Sequence, residues 1–202
     1  MEMSKEMSVL PTSYWPPIDY VRRIYHDPNT LIEVCENYQK KSIRNKCHII
    51  TSNGPLALSV PLLKGKHGSL PIKEVKIAYH DEWQFNHINT LKTAYSSAPY
   101  YKYYSEAIND LINKKETFLY ELNCHLLEWI RITFLKDQVS KILKTETYHS
   151  NTLTTYASSF PYCQVYERQH GFWSENISIL DLIFNVGYEI PLYLDNWINF
   201  DH

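Results

Sequence analysis

The sequence predicts an α/β fold, a single domain over residues 1–202 built on a mixed sheet. Three observations predict it. Short apolar runs at Ser8 to Thr12 and Leu31 to Cys35 flank a helical segment, which is the size of a parallel crossover unit. Asn53-Gly54 lies between two alternating apolar stretches, the pattern of a hairpin. Three successive stretches in the middle of the chain then carry apolar residues at helical spacing.

The elements follow in order. Tyr14-Trp15-Pro16-Pro17 ends the first strand and sets up a helix from Ile18 to Tyr25, which His26-Asp27-Pro28-Asn29 stops. Ile43 to Ile50 and Leu56 to Leu62 form the hairpin, with Leu56, Leu58 and Val60 on its inward face. Lys64 to Leu70 reads as a basic, glycine-bearing loop, and Val75, Ile77 and Tyr79 alternate as another strand. Asp81, with Gln84 three residues on, is placed to cap a helix running to Tyr95, whose buried face would carry Trp83, His87, Leu91 and Ala94. Pro99 opens a second helix with Tyr101, Tyr104, Ile108 and Leu111 in phase. A third, from Thr117 to Leu135, carries Leu119, Leu122, Leu126 and Ile130. Val139 to Thr145 fits either a strand or a helical continuation, its β-branched residues favouring strand. The polar stretch after Tyr148 reads as an exposed connection and Tyr162 to Tyr166 as a strand. In Asn176 to Gly187, Ser178 and Asp181 have capping-box spacing around a short buried helix that Gly187 ends. Three central helices over the sheet and this last helix complete the expected fold.

Composition removes several function classes. Lys plus Arg number 20 against 22 for Asp plus Glu, so no global field draws the chain to nucleic acid. No apolar run is long enough to span a bilayer, and the acidic opening MEMSKEMSVLP lacks the apolar centre of a secretory signal, so a cytoplasmic location is expected. The 4 cysteines are scattered without a C-x-x-C pair, as expected of reduced, mostly buried thiols. Neither common glycine-rich phosphate loop is present among only 5 glycines. No cofactor and no metal is expected. His80, Asp81 and His87 do not have a standard ligand spacing.

The densest polar segment is Glu36 to Ile49, ENYQKKSIRNKCHI. Lys40 and Arg44, with Lys46 nearby, can clamp a diphosphate, since a guanidinium matches phosphate oxygens and an ammonium adds compact charge. The competing reading is a solvated basic face paired with Glu33 or Glu36. If the strand begins at Ile43, Asn45 falls among apolar neighbours, either reading substrate or satisfying backbone. His87 is either a core histidine or a general acid or base oriented by Glu36 or Asp81. Cys47 is either a small core residue or a nucleophile with His87 as its base. Tyr162 and Gln164 either line a sugar site, aromatic face and amide together, or are plain strand residues.

Six segments carry a family resemblance: YWPPIDY (14–20), ENYQKKSIRNKCHI (36–49), NGPLALSVPL (53–62), DEWQFNHINTLKTAYSSAPYYKYY (81–104), PYCQVYERQHGF (161–172) and NISILDLIFNVG (176–187). In order and spacing they resemble the WbqC-like family of bacterial proteins along nearly the whole chain. The resemblance implies a place in O-antigen or other surface-polysaccharide biosynthesis, with a cytoplasmic step on an activated sugar. The chain departs from the family pattern at Ile88, where tryptophan is common, and at Asn37, where histidine is frequent.

Together these readings give three expectations. The first is a transferase acting on a nucleotide-activated sugar, with Lys40 and Arg44 on phosphate, Asn45, Tyr162 and Gln164 on substrate, and His87 with Glu36 in proton transfer. The second is a non-catalytic binding or scaffold subunit of the same pathway, and the third an acyltransferase working through Cys47. The expected partner is a small molecule, with no nucleic acid and no membrane span.

Overall fold

The computed structural model describes residues 8–64, 70–150, 161–171 and 176–195. Most of the basic loop around Gly65 and the polar connection after Ser150 lie outside the described residues. The described strands are β1 (Val9–Pro11), β2 (Leu31–Glu33), β3 (Lys46–Thr51), β4 (Gly54–Ser59) and β5 (Leu143–Lys144). The helices are α1 (Ile18–His26), α2 (Trp83–Tyr95), α3 (Tyr101–Asn113), α4 (Leu119–Ile130), α5 (Glu167–His170), α6 (Ile179–Val186) and α7 (Ile190–Asp195). The α/β class read from the sequence is the class observed.

The strands are divided between two sheets rather than joined in one. β1, β2 and β5 form a parallel sheet in that order, with Leu10 opposite Ile32 and Ile32 opposite Lys144. The β1–α1–β2 unit is thus the expected parallel crossover, and the 139–145 segment contributes a short strand. β3 and β4 form a separate antiparallel hairpin whose register closes at Thr51 opposite Gly54. Gly54 has φ +95°, which a side chain would resist, and Thr51 Oγ1 donates to its carbonyl at 2.8 Å. Leu58 and Val60 face inward as expected, but Leu56 is exposed.

Ile43 to Asn45 are not strand. The chain turns there because Arg44 folds back onto Glu36, so β3 begins only at Lys46 and the alternation expected from Ile43 does not apply. Val75 and Ile77 are buried, but the segment makes only isolated bridges, Leu62 to Ile77 and Lys76 to Phe118. Tyr162 to Tyr166 likewise is not a strand but an irregular approach to α5.

Helix faces follow the apolar spacing closely. Trp83, His87, Leu91 and Ala94 are the buried side of α2, and Leu119, Leu122, Leu126 and Ile130 that of α4, which runs on as a π-helical turn over Arg131–Leu135. Each fully buried leucine or isoleucine contributes roughly 1.5–3 kcal/mol, so such stripes outweigh any cap in fixing these helices. Asp81 does not cap α2; Glu82 stands at that position with φ +45° and no side-chain bond. α6 is buried at every residue but Asn185. Ser178 does cap it, accepting from Leu180 N at 3.2 Å while donating to the Trp15 carbonyl at 2.9 Å. Asp181 does not complete a capping box, because its carboxylate turns inward to Tyr95 and Tyr162.

Gly187 ends α6 at φ +63°, and a Cβ there would lie 2.4 Å from the Tyr100 ring. Gly187→Ala is therefore expected to cost about 2 kcal/mol from backbone strain and overpacking. Urea denaturation of the variant measures this, and an unchanged midpoint would contradict it.

Candidate functional site

The candidate site is built on the loop between β2 and β3. Its base is an ion pair inside the protein: Arg44 is 1% exposed and Glu36 2%. Arg44 Nε donates to Glu36 Oε1 at 2.7 Å and Nη2 to Oε2, a two-pronged match between planar groups. Burial pushes the Glu36 carboxyl above its usual value, and the Arg44 guanidinium draws it back down. The surrounding backbone is fastened from several sides. Asn123 Nδ2 on α4 donates to the Arg44 carbonyl at 2.8 Å, and the Ile43 carbonyl accepts from Tyr14 N at 2.9 Å and Ser13 Oγ at 3.3 Å. Ile72 N donates to the Glu36 carbonyl at 2.9 Å. The pair thus acts as a pin that holds both ends of the intervening loop.

That loop walls a cavity of about 410 Å³, lined by Pro11, Gln39, Lys40, Lys41, Ser42, Ile43, Arg44, Lys46, His48 and Asn176. Among the described residues its lining holds lysines, an arginine and a histidine but no carboxylate. Lys41 (φ +57°) and Asn176 (φ +52°) both adopt left-handed backbone at its wall. Lys40, Lys41 and Lys46 have no ion-pair partner among the described residues. The two carboxylates named as their partners from sequence are occupied: Glu36 holds Arg44, and Glu33 accepts from Thr145 Oγ1 at 2.8 Å and His149 N at 2.7 Å. His48 projects from β3, and its backbone carbonyl accepts from Ser178 N at 2.8 Å, which brings the start of α6 to the cavity. Burial, and then the charge of Lys46, lower the His48 pKa, so its imidazole is neutral at pH 7 and free to accept a proton.

The other residues singled out from sequence lie elsewhere. Asn45 donates to the Val60 carbonyl at 2.9 Å and accepts from Tyr38 OH at 2.9 Å, so its amide ties the loop to the hairpin. His87 is in the core, its Nδ1 2.9 Å from Tyr14 OH and its ring against Trp83. Burial lowers its pKa to about 4, against a smaller opposing effect of the Ser59 backbone. Neither His87 nor Asn45 lines the basic cavity. Tyr162 and Gln164 are buried, with Tyr162 OH 2.6 Å and Gln164 Nε2 3.2 Å from Asp181 Oδ2. There they serve a packed polar knot that also takes in Tyr95, whose hydroxyl accepts from Ile50 N at 3.2 Å. Cys47 is buried, and burial drives its thiol well above the usual range, which leaves it almost no thiolate at neutral pH.

The structure therefore brings Lys40, Arg44 and Lys46 together and adds Lys41, Ser42, His48 and Asn176. The signal for Lys41 and His48 was present, as a lysine pair and a basic row within one segment. Asn176 has no sequence signal linking it to residues more than a hundred positions away.

Comparison with known proteins leaves the geometry to carry the functional argument. No curated protein and no solved structure matches the chain. The model of one family matches residues 12–154, the span that includes the ion pair, the lysines and His48. The chain is a member of the WbqC-like protein family.

Proposed function

We propose that the protein is a transferase acting on a nucleotide-activated sugar in surface-polysaccharide biosynthesis, in the cytoplasm. The observation that carries this reading is the basic cavity, whose lining among the described residues holds three lysines and one histidine and no carboxylate. Unneutralised ammonium groups in one concavity suit a diphosphate and the negative charge that grows on it as the sugar bond breaks. Arg44 does not serve as the fork on phosphate, because Glu36 already holds it; its role is to hold Lys40 and Lys41 in position. His48, neutral at pH 7, takes the proton from the attacking acceptor, the role expected of His87 from sequence.

The test is a thermal-shift panel of uridine, guanosine and thymidine diphosphate sugars. At tenfold the dissociation constant a bound nucleotide is expected to raise Tm by roughly 3–6 °C. The Lys40→Ala/Lys41→Ala variant is expected to lose that rise. No rise with any nucleotide sugar, or a rise undiminished in the variant, rejects the proposal.

The binding-subunit reading has one observation of its own: Glu36, Arg44 and His87 are all buried and bonded to other protein groups. On that reading the nucleotide sugar binds and is not turned over. Hydrolysis or transfer that is lost in His48→Ala, with binding retained, decides for the transferase.

A further inference from the structure

A groove of about 520 Å³ lies between the β3–β4 turn, α2 and the tyrosine that precedes α5. Among the described residues its lining carries no charged side chain, although 21% of the chain is charged and charged residues gather on surfaces. Amides and hydroxyls take their place. Asn86, Asn89, Thr90 and Thr93 form one stripe along α2, at the three- and four-residue steps that put side chains on one helix face, beside the buried stripe. Asn86, Asn89 and Thr93 are exposed, so packing does not require them. Asparagine and threonine are also poor helix formers, so this face forgoes the stability that alanine, glutamate or lysine would give it. A stripe that neither local preference nor the core calls for points to a ligand.

We infer that this groove binds a short neutral saccharide. Its walls are held in place: Gln169 Nε2 and His170 Nε2 of α5 both donate to the Ser52 carbonyl, at 2.9 and 2.6 Å, which fixes the turn carrying Asn53. Tyr166 OH lies 3.5 Å from the Thr93 carbonyl and sets its ring at the end of the stripe. The Thr90 and Thr93 hydroxyls spend their protons on the Asn86 and Asn89 carbonyls, at 2.7 and 2.9 Å, leaving oxygen lone pairs for an incoming donor. The Asn53 and Asn89 side-chain amides have no partner among the described residues, and each can both donate and accept. Neighbouring groups of both kinds match the adjacent hydroxyls of a sugar. Leu56, 41% exposed instead of packed inward, and the Tyr166 ring supply apolar surface for sugar C–H groups, and the volume is that of a small-molecule site. With no cation among its described lining residues the groove does not suit a phosphate, so the inference does not depend on what the basic cavity binds.

NMR titration of the isotope-labelled protein with maltose, cellobiose, lactose and diacetylchitobiose tests it. At least one disaccharide is expected to shift the side-chain amide resonances of both Asn53 and Asn89. In Asn89→Ala/Thr93→Ala, followed through Asn53, affinity for that disaccharide is expected to fall by about tenfold, as the loss of two hydrogen bonds implies. The unliganded variant is expected to melt at or above the wild-type temperature, because alanine is the better helix former. Inorganic pyrophosphate is expected to leave both resonances unmoved. The inference is overturned if no disaccharide moves them, if the variant binds as tightly as wild type, or if pyrophosphate moves them as the disaccharide does. A variant that melts well below wild type overturns it too, since the stripe would then serve the fold.

Discussion

Arg44→Met is expected to destabilise the protein by about 3–5 kcal/mol, because it leaves the Glu36 carboxylate buried without its partner. The two side chains are 1% and 2% exposed, so solvent does little to replace the lost bonds. The defect should depend on pH in a definite direction. Burial raises the Glu36 pKa, and without Arg44 drawing it down the shift becomes larger. A carboxyl whose folded pKa is raised favours folding below its unfolded pKa, and that benefit is lost as pH rises through the folded value. Arg44→Met should therefore be closest to wild type in acid and worst near neutral pH. The double variant Glu36→Met/Arg44→Met should recover most of the loss, since an apolar pair carries no desolvation penalty. Guanidinium denaturation of the three proteins at several pH values measures all of this. Equal losses in the single and double variants would show that the pair contributes through shape rather than charge. Nucleotide-sugar binding should fall in both, because the loop carrying Lys40 and Lys41 loses its pin.

Acidification from pH 6.5 to about 4 is expected to cost wild type about 3 kcal/mol relative to His87→Gln. His87 is shifted from 6.5 to about 4 in the folded protein, and each pH unit of that interval is worth about 1.4 kcal/mol. The sign follows from which state takes up the proton. The unfolded chain protonates His87 as pH falls below 6.5, while the folded protein resists until about 4, so stability is lost across that window and levels off below it. Carboxylates titrate in the same range, and comparison with the variant cancels their contribution. A difference in stability that stays constant across the window would mean that His87 is solvated in the folded state. The same burial explains why His87 is poorly placed for proton transfer: Tyr14 OH sits 2.9 Å from Nδ1 and the ring is packed on Trp83.

Local patterns were legible wherever one face of an element meets the core. Trp83, His87, Leu91 and Ala94 follow the period of a helix, and the same four are buried. Leu31 to Glu33 pair in parallel with β1 because the intervening helix is the right length to return the chain. Legibility failed where a long-range polar contact overrides local preference. Asp181 has the spacing of a cap but is drawn to Tyr95 and Tyr162, 86 and 19 residues away in sequence. Arg44 looks like strand until its pairing with Glu36 bends the chain. Asn45, Tyr162 and Gln164 have side chains that suit a substrate equally well, and nothing local says whether a protein partner reaches them first.

By itself the sequence determined the α/β class, the parallel crossover, the hairpin and the buried helix faces, and it located the basic segment between Glu36 and His48. These rest on periodicity and on interactions between near neighbours. Only the tertiary structure decided which cations remain unneutralised. Among the described residues Arg44 is paired and Lys40, Lys41 and Lys46 are not, because the three-dimensional fold assigns Glu36 to the guanidinium and Glu33 to Thr145 and His149. A charge is defined as available or spent by what lies within a few ångströms of it, and chain order does not contain that distance.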